Sequence, residues 1–388
     1  MLQALPLALT LLLAMAPWFT TAAIVSPLRA AWHISSAQAA WLTIAAQIGF
    51  VAGALASALF NLADLVHPRW LILIGGLAAA AANAALAACQ SFDAAWPWRF
   101  ATGACLALVY PPALKLMATW FRERRGTALG IMVGALTVGA AFPHLVRSWS
   151  GDWQRVVLAT SIITAAGGVW GALAGREGPF PFAPARFAPG ELTRAFANRG
   201  VRLATFGYLG HMWELIAMWS WIGPLLAARF AAAGIATRWA ALASFVIIAA
   251  GGVGCWYGGR LSDRGGRERA AATAMAISGA CACAVGWISS PAPWALALLL
   301  ALGLLWGFWV VADSAQFSTL VTELADPRYA GTALTAQLGA GFTLAAVTVW
   351  LIPWLYAHAG WGWAFTALAP GPALGIWAML RLKTAVNH

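Results

Sequence analysis

Apolar stretches of about twenty residues recur along the whole chain, separated by short segments rich in Pro, Gly and charge. A helix needs about 20 mostly apolar residues to cross a bilayer, where it satisfies its own backbone hydrogen bonds. The runs predict spans at 4–28, 36–60, 70–90, 97–119, 126–147, 154–175, 202–228, 237–259, 269–289, 293–318, 331–356 and 361–381. A soluble fold has no interior large enough for a chain that is 62% apolar and 9% charged, against about 45–50% and about 25% in ordinary domains. The class expected is an all-α membrane protein with twelve transmembrane helices.

Charge placement gives this reading an orientation. Of the 23 Lys and Arg, 17 fall on one side of the bilayer. They include Arg69, Lys115, the cluster around Arg122, the segment from Arg176 to Arg202, the run from Arg260 to Arg269, Arg328, Arg381 and Lys383. The other six are Arg29, Arg99, Arg147, Arg155, Arg229 and Arg238. Positive loops stay cytoplasmic, so both termini are expected inside a bacterial inner membrane. The net charge of +11 is scattered in loops, which suits anionic lipid headgroups and not nucleic acid. No Lys or Arg precedes Arg29, and the first run exceeds a signal peptide's apolar core, so a retained first span is expected.

Trp96, Trp98, Trp120, Trp149, Trp153, Trp361 and Trp363 sit at predicted span ends, where indole rings favour the headgroup zone. The five cysteines show no C-x-x-C spacing and read as unpaired thiols.

Residues 176–201 form the longest polar segment, with Pro179, Pro181, Pro184 and Pro189. It divides the chain into a six-helix bundle over 1–175, a cytoplasmic linker over 176–201 and a second bundle over 202–388. The halves repeat each other in three places. Pro27-Leu28-Arg29-Ala30 corresponds to Pro224-Leu225-Leu226-Ala227, Asn61-Leu62-Ala63-Asp64 to Arg260-Leu261-Ser262-Asp263, and Gly126-Thr127-Ala128-Leu129 to Gly331-Thr332-Ala333-Leu334. Offsets of about 200 residues fit one duplicated unit.

The sharpest local signal follows the eighth span, Gly259-Arg260-Leu261-Ser262-Asp263-Arg264-Gly265-Gly266-Arg267-Glu268-Arg269. It resembles the G-x-L-a-D-R-x-G-R-[RK] loop of the major facilitator superfamily. The copy between spans 2 and 3 is degenerate, with Asn61 and Leu65 replacing Gly and Arg. The resemblance implies a secondary transporter working by alternating access, with substrate at the midplane between spans 1, 4, 7 and 10, and Asp64, Asp263, Arg264 and Arg267 as switch residues of the loops. Arg99-Phe100-Ala101-Thr102-Gly103 is similar to the family's R-x-x-x-G in span 4, which implies proton coupling for Arg99; snorkelling to the outer interface is the competing reading. Span 5 has Gly126, Gly130, Gly134 and Gly139 but lacks the antiporter Gly-Pro pair, and span 2 carries Thr43 and Gln47 where nitrate porters carry Arg.

Ionisable groups at membrane depth are costly, which makes each a functional candidate. His211 and Glu214 of span 7 stand at i, i+3 and share a face, suited to holding or passing a proton, or to satisfying each other. Tyr208 precedes them by one turn. Asp313 and Gln316 repeat the spacing in span 10. Tyr110, Pro111, Pro112 and Lys115 lie in span 4, where the prolines bend the helix and free carbonyls. Lys115 faces Asp313 as a gate, binds a substrate anion, or snorkels to the cytoplasmic interface. Trp18, Thr20, Thr21, Gln47, Asn83, Thr335 and Gln337 read as interhelical hydrogen-bonding groups. His144 and Arg147 read as interfacial.

Nothing matches G-x-x-x-x-G-K-[ST], and the six histidines do not pair in a manner suited to haem. No cofactor, metal or enzymatic activity is expected. The expected partners are a small-molecule substrate, protons and lipid, in a monomer. A small organic anion is slightly favoured as cargo. Efflux of amphiphilic metabolites or drugs, and a non-transporting sensor or assembly factor, are the alternatives.

Overall fold

The computed structural model describes residues 4–121, 125–180, 188–326 and 328–386; the side chains of 63, 64, 125 and 384–386 are not part of the description. Every regular element among these residues is helical. Nine helical segments are long and apolar enough to cross a membrane. One of these, Ala330–Lys383, holds two spans that turn at Gly360, whose φ of 77° breaks the helix. Span 9 (Arg267–Val285) falls short of that standard because it is alanine-rich and opens on Arg267, Glu268 and Arg269. With the broken first span, the described residues offer twelve candidate crossings.

Local sequence explains several helix starts. Ser35 and Gln38 form a reciprocal capping box before span 2 (Ser36–Leu59). Asp152 accepts from the Gln154 amide at the start of span 6 (Trp153–Ala174). Asn198 does the same for span 7 (Arg199–Ala232), which begins inside the segment expected as linker.

Three spans are not continuous. Span 1 consists of Ala4–Ala14, Thr20–Ala23 and Val25–Trp32, interrupted around Pro17, which has no N–H to donate. Span 4 is Phe92–Leu106 followed by Tyr110–Ala118, interrupted just before Pro111 and Pro112. Its counterpart span 10 is Pro293–Trp309 followed by Ser314–Leu324. The single helix expected over 4–28 is therefore corrected, and the bend expected in span 4 is a break.

The halves meet mainly along span 5 (Arg125–Trp149) and span 8 (Thr237–Gly265), and along spans 2 and 11. Small residues let spans 5 and 8 touch backbone to backbone. A Cβ on Gly130 would lie 2.5 Å from the Cys255 carbonyl oxygen, and one on Gly134 2.7 Å from that of Gly252.

The aromatic belt is only partly as expected. Trp96, Trp98, Trp149 and Trp363 are exposed, as lipid or headgroup contact requires. Trp153 and Trp361 are buried: Trp153 packs edge-on against Trp32, and Trp361 packs tilted against Tyr356 and stacks on Phe365. The cysteines are free thiols.

Candidate functional site

Two buried clusters and one interhalf clasp gather the residues singled out from the sequence. The first cluster lies in the N-terminal half. Arg99 is 0% exposed, so it does not snorkel. Its guanidinium donates to the carbonyls of Pro17 (3.1 Å), Trp18 (2.7 Å) and Leu42 (3.4 Å), and to Asn83 Oδ1 (3.0 Å). The break in span 1 exposes the Pro17 and Trp18 carbonyls, and a planar five-donor fork matches such a set. Arg99 thus ties spans 1, 2, 3 and 4 together. Asn83 extends the network to Val157, Thr160 and Ser161 of span 6. Thr21 bonds Thr43 at 3.0 Å, and Trp18 Nε1 donates to Gln47 Oε1 at 3.2 Å. These are the interhelical bonds expected of the minor polar residues.

The second cluster is in the C-terminal half. His211 lies about 18 Å along span 7 from Arg199, at 1.5 Å per residue. Its Nδ1 stands 2.9 Å from Asp313 Oδ1, with both side chains almost fully buried. Asp313 sits in the break of span 10, which turns its carboxylate toward span 7. The approach lacks hydrogen-bond alignment, so Asp313 Oδ1 and His211 Nε2 both keep unused bonding capacity. Glu214 has other partners. Trp306 Nε1 donates to its Oε1 at 2.7 Å, and Ser278 Oγ to its Oε2 at 2.8 Å. His211 and Glu214 share a helix but not a bond. Asp313 stands against His211 and not against Glu214. Lys115 is half-buried near the end of span 4 and has an interaction of its own.

Between the halves lies a core of rings, of which the sequence singled out only Trp18, Tyr110 and Tyr208. Trp18 stacks on Phe342 at 5.8 Å, Phe50 packs at 5.1 Å from Phe342, and Phe19 meets Trp219 edge-on at 5.4 Å. Tyr110 adjoins Phe50, while Tyr208 and His211 both contact Phe317. Several buried polar atoms have no partner among the described residues: Gln47 Nε2, Trp219 Nε1, both amide atoms of Gln316, and Gln337 Nε2. Aromatic residues in apolar spans look alike in sequence whether they face lipid or the seam. Only the buried amides gave a signal there.

The clasp closes the end of the bundle that carries the 175–198 connector. Asp263 accepts from the Thr127 amide (3.1 Å) and hydroxyl (2.6 Å), capping span 5 of the opposite half. Arg267 forms a two-pronged bond to Glu323 at 2.9 and 2.7 Å, joining the 8–9 loop to span 10. Arg264 is exposed. Asp64 lies outside the residues whose side chains are described. In the 10–11 loop, hydrogen bonds from Arg328 hold the Asp326 carboxyl down at about 2, so Asp326 carries no proton near neutral pH.

At the opposite end, His144 is 2% exposed and faces a cavity between spans 1, 5, 7 and 8. The interfacial placement expected for His144 is corrected. Among the described residues no group of three or more His, Cys, Asp or Glu is arranged to hold a metal ion.

The sequence matches the family model described as Major Facilitator Superfamily over residues 7–347. No curated protein matches it. Among solved structures, a mutant of the nucleoside transporter NupG superposes with a TM-score of 0.72 at 15% identity, covering 98% of this chain and 99% of that one. A bacterial homologue of the human lysosomal transporter Spinster, inward-facing and occupied, gives 0.65 at 17% identity, with coverages of 98% and 92%. The human organic anion transporter MFSD10 gives 0.68 at 15% identity, with 97% of each chain covered.

Proposed function

The chain belongs to the major facilitator superfamily, and from that premise we propose that it is a proton-coupled secondary transporter whose proton site is the His211–Asp313 pair. It is a multi-pass membrane transporter and not an enzyme. The observation that carries the coupling is an imidazole and a carboxylate 2.9 Å apart, buried between a continuous span and the break of its neighbour. An imidazole beside a carboxylate can hold or pass a proton, and a proton gained or lost there changes the balance of charge holding spans 7 and 10 together. Glu214, satisfied by Trp306 and Ser278, is the second candidate in the same span. Arg99 is a positioning residue for spans 1 to 4.

The substrate is taken to lie against the ring-lined seam, where Gln47, Trp219, Gln316 and Gln337 hold unused polar atoms. A small organic anion is favoured by Lys115 and the basic bias. The Trp18–Phe50–Phe342 stack supports a second reading, an aromatic or amphiphilic solute moving outward. Solved relatives are named for chemically different cargoes, so the substrate reading is taken from this chain's own residues.

We place the connector end in the cytoplasm of a bacterial inner membrane, with both termini there, because the basic loops gather at it. The halves 1–175 and 202–388 then rock about the seam. The Asp263–Thr127 clasp and the Gly130–Cys255 contact read as the state closed toward the cytoplasm.

The test is internal pH in proteoliposomes, recorded while small anions and aromatic amphiphiles are added outside. A solute-dependent pH change that is lost in Asp313→Asn and in His211→Gln, with substrate binding retained, supports the reading. Solute flux without any pH change, in wild type and variants alike, refutes proton coupling.

A further inference from the structure

The cavity at the far end of the bundle, opposite the connector, is independent of the His211–Asp313 pair. Its walls come from both halves. Span 1 gives Ser26 and Pro27, span 5 gives His144 and Arg147, and spans 7 and 8 give Pro224 and Ser244. Pro27 and Pro224 occupy equivalent places in the two repeats, so the cavity sits on the pseudo-symmetry axis of the seam. His144 is about 26 Å along span 5 from the clasped Thr127 at 1.5 Å per residue.

Three features give the cavity a chemical preference. Its ionisable lining groups are an imidazole and a guanidinium, with no carboxylate among the lining residues. His144 is 98% buried, yet its Nε2 has no partner among the described residues. Arg147 follows one turn later and is anchored by its own Nη1 donating to the Ser150 carbonyl at 2.7 Å. A buried ring nitrogen left unpaired is costly unless something fills it, and with its proton on Nε2 the imidazole is a donor there. An imidazole N–H beside a guanidinium held by its neighbour is a pair of donors suited to one oxyanion.

We propose that this cavity is a binding site for a small oxyanion, a carboxylate or a phosphate, held by His144 Nε2 and the Arg147 guanidinium where the two halves part. The close approach of span 7 sets the imidazole's position, since a Cβ on Gly223 would come within 3.0 Å of His144 Cε1. The occupant is a free anion on its way to the seam or the headgroup of an anionic lipid.

Equilibrium binding to the purified full-length protein distinguishes these. The probes are benzoate, its uncharged analogue benzamide and inorganic phosphate, read by thermal shift and titration calorimetry in phosphatidylcholine nanodiscs. Benzoate or phosphate is expected to stabilise the wild type, and benzamide not. Arg147→Gln is expected to weaken anion binding at least about tenfold, the loss of one charge-assisted contact. His144→Gln keeps a side-chain donor and is expected to bind better than His144→Phe. Gly223→Ala, which displaces the ring without removing it, is expected to weaken binding with the donors intact. Each variant's melting without ligand reports whether it has folded. Loss of the anion effect in phosphatidylglycerol nanodiscs, restored in phosphatidylcholine, assigns the site to a headgroup. Equal binding of benzoate by wild type and Arg147→Gln, or no anion effect in either lipid, overturns the proposal.

Discussion

Replacing Asp263 by alanine removes Oδ2, the one oxygen that accepts both bonds holding the N-terminus of span 5 against the end of span 8. The contacts are the Thr127 amide at 3.1 Å and its hydroxyl at 2.6 Å. A hydrogen bond to a charged group contributes about 1.5–3 kcal/mol and a helix cap about 1 kcal/mol. Asp263 faces solvent, which screens its charge, so the combined loss is set near the low end, at about 2 kcal/mol. At 1.4 kcal/mol per decade, opening of the clasped end becomes roughly 30-fold easier. A native reporter stands within the seam, because Cys255 is 2% exposed and its carbonyl lies against Gly130. In a chain whose other cysteines are replaced, alkylation of Cys255 by a membrane-impermeant maleimide, added from the connector side, measures that opening. Asp263→Ala is expected to raise the rate by roughly 10–50-fold, and Asp263→Asn, which still accepts from Thr127, by less. An unchanged rate in Asp263→Ala would mean that the clasp does not hold the halves together.

Other perturbations test separate parts of the structure. Gly130→Val puts a branched side chain where a Cβ already meets the Cys255 carbonyl at 2.5 Å, so it is expected to open the same end with faster Cys255 labelling. Gly151→Ala, with nothing within 4 Å, is expected to leave it unchanged. Arg99→Ala leaves the Trp18 carbonyl and Asn83 Oδ1 buried without this donor and takes one of two donors from the Pro17 carbonyl. It is expected to cost about 3–5 kcal/mol in thermal unfolding, and Arg99→Lys less, because an ammonium keeps some of those acceptors, though fewer than the guanidinium. Glu214→Gln keeps the acceptor for Trp306 Nε1 and the shape beside Ser278. Melting is expected to stay within about 1 kcal/mol of wild type, and solute-driven pH changes are expected to persist, in contrast to Asp313→Asn.

Much of the architecture was legible in the chain. The apolar runs gave the crossings, because a bilayer imposes one length on every helix that spans it. The breaks were only half visible. Pro111 and Pro112 announced the one in span 4, whereas the equivalent break in span 10 has no proline and shows only in the fold. The switch loop was legible as a motif, but its partner was not: Thr127 lies 136 residues earlier. Arg99 was legible as a charge at membrane depth but its partners were not, since nothing in the sequence reveals that span 1 breaks to offer it carbonyls. The aromatic seam and the far-end cavity went unread for a related reason. Helical periodicity is blurred when both faces of a span are apolar, one toward lipid and the other toward protein.

Sequence by itself determined what each segment must do energetically: cross the bilayer, turn in a basic loop, or repeat a unit from the other half. The tertiary structure decided which buried polar group met which. His211 and Glu214 are three residues apart on one helix, yet one is matched to Asp313 of span 10 and the other to Trp306 and Ser278. Spacing along a helix fixes only which way a side chain points. Its partner depends on how the neighbouring helices rotate and break, which is set by close packing over the whole bundle.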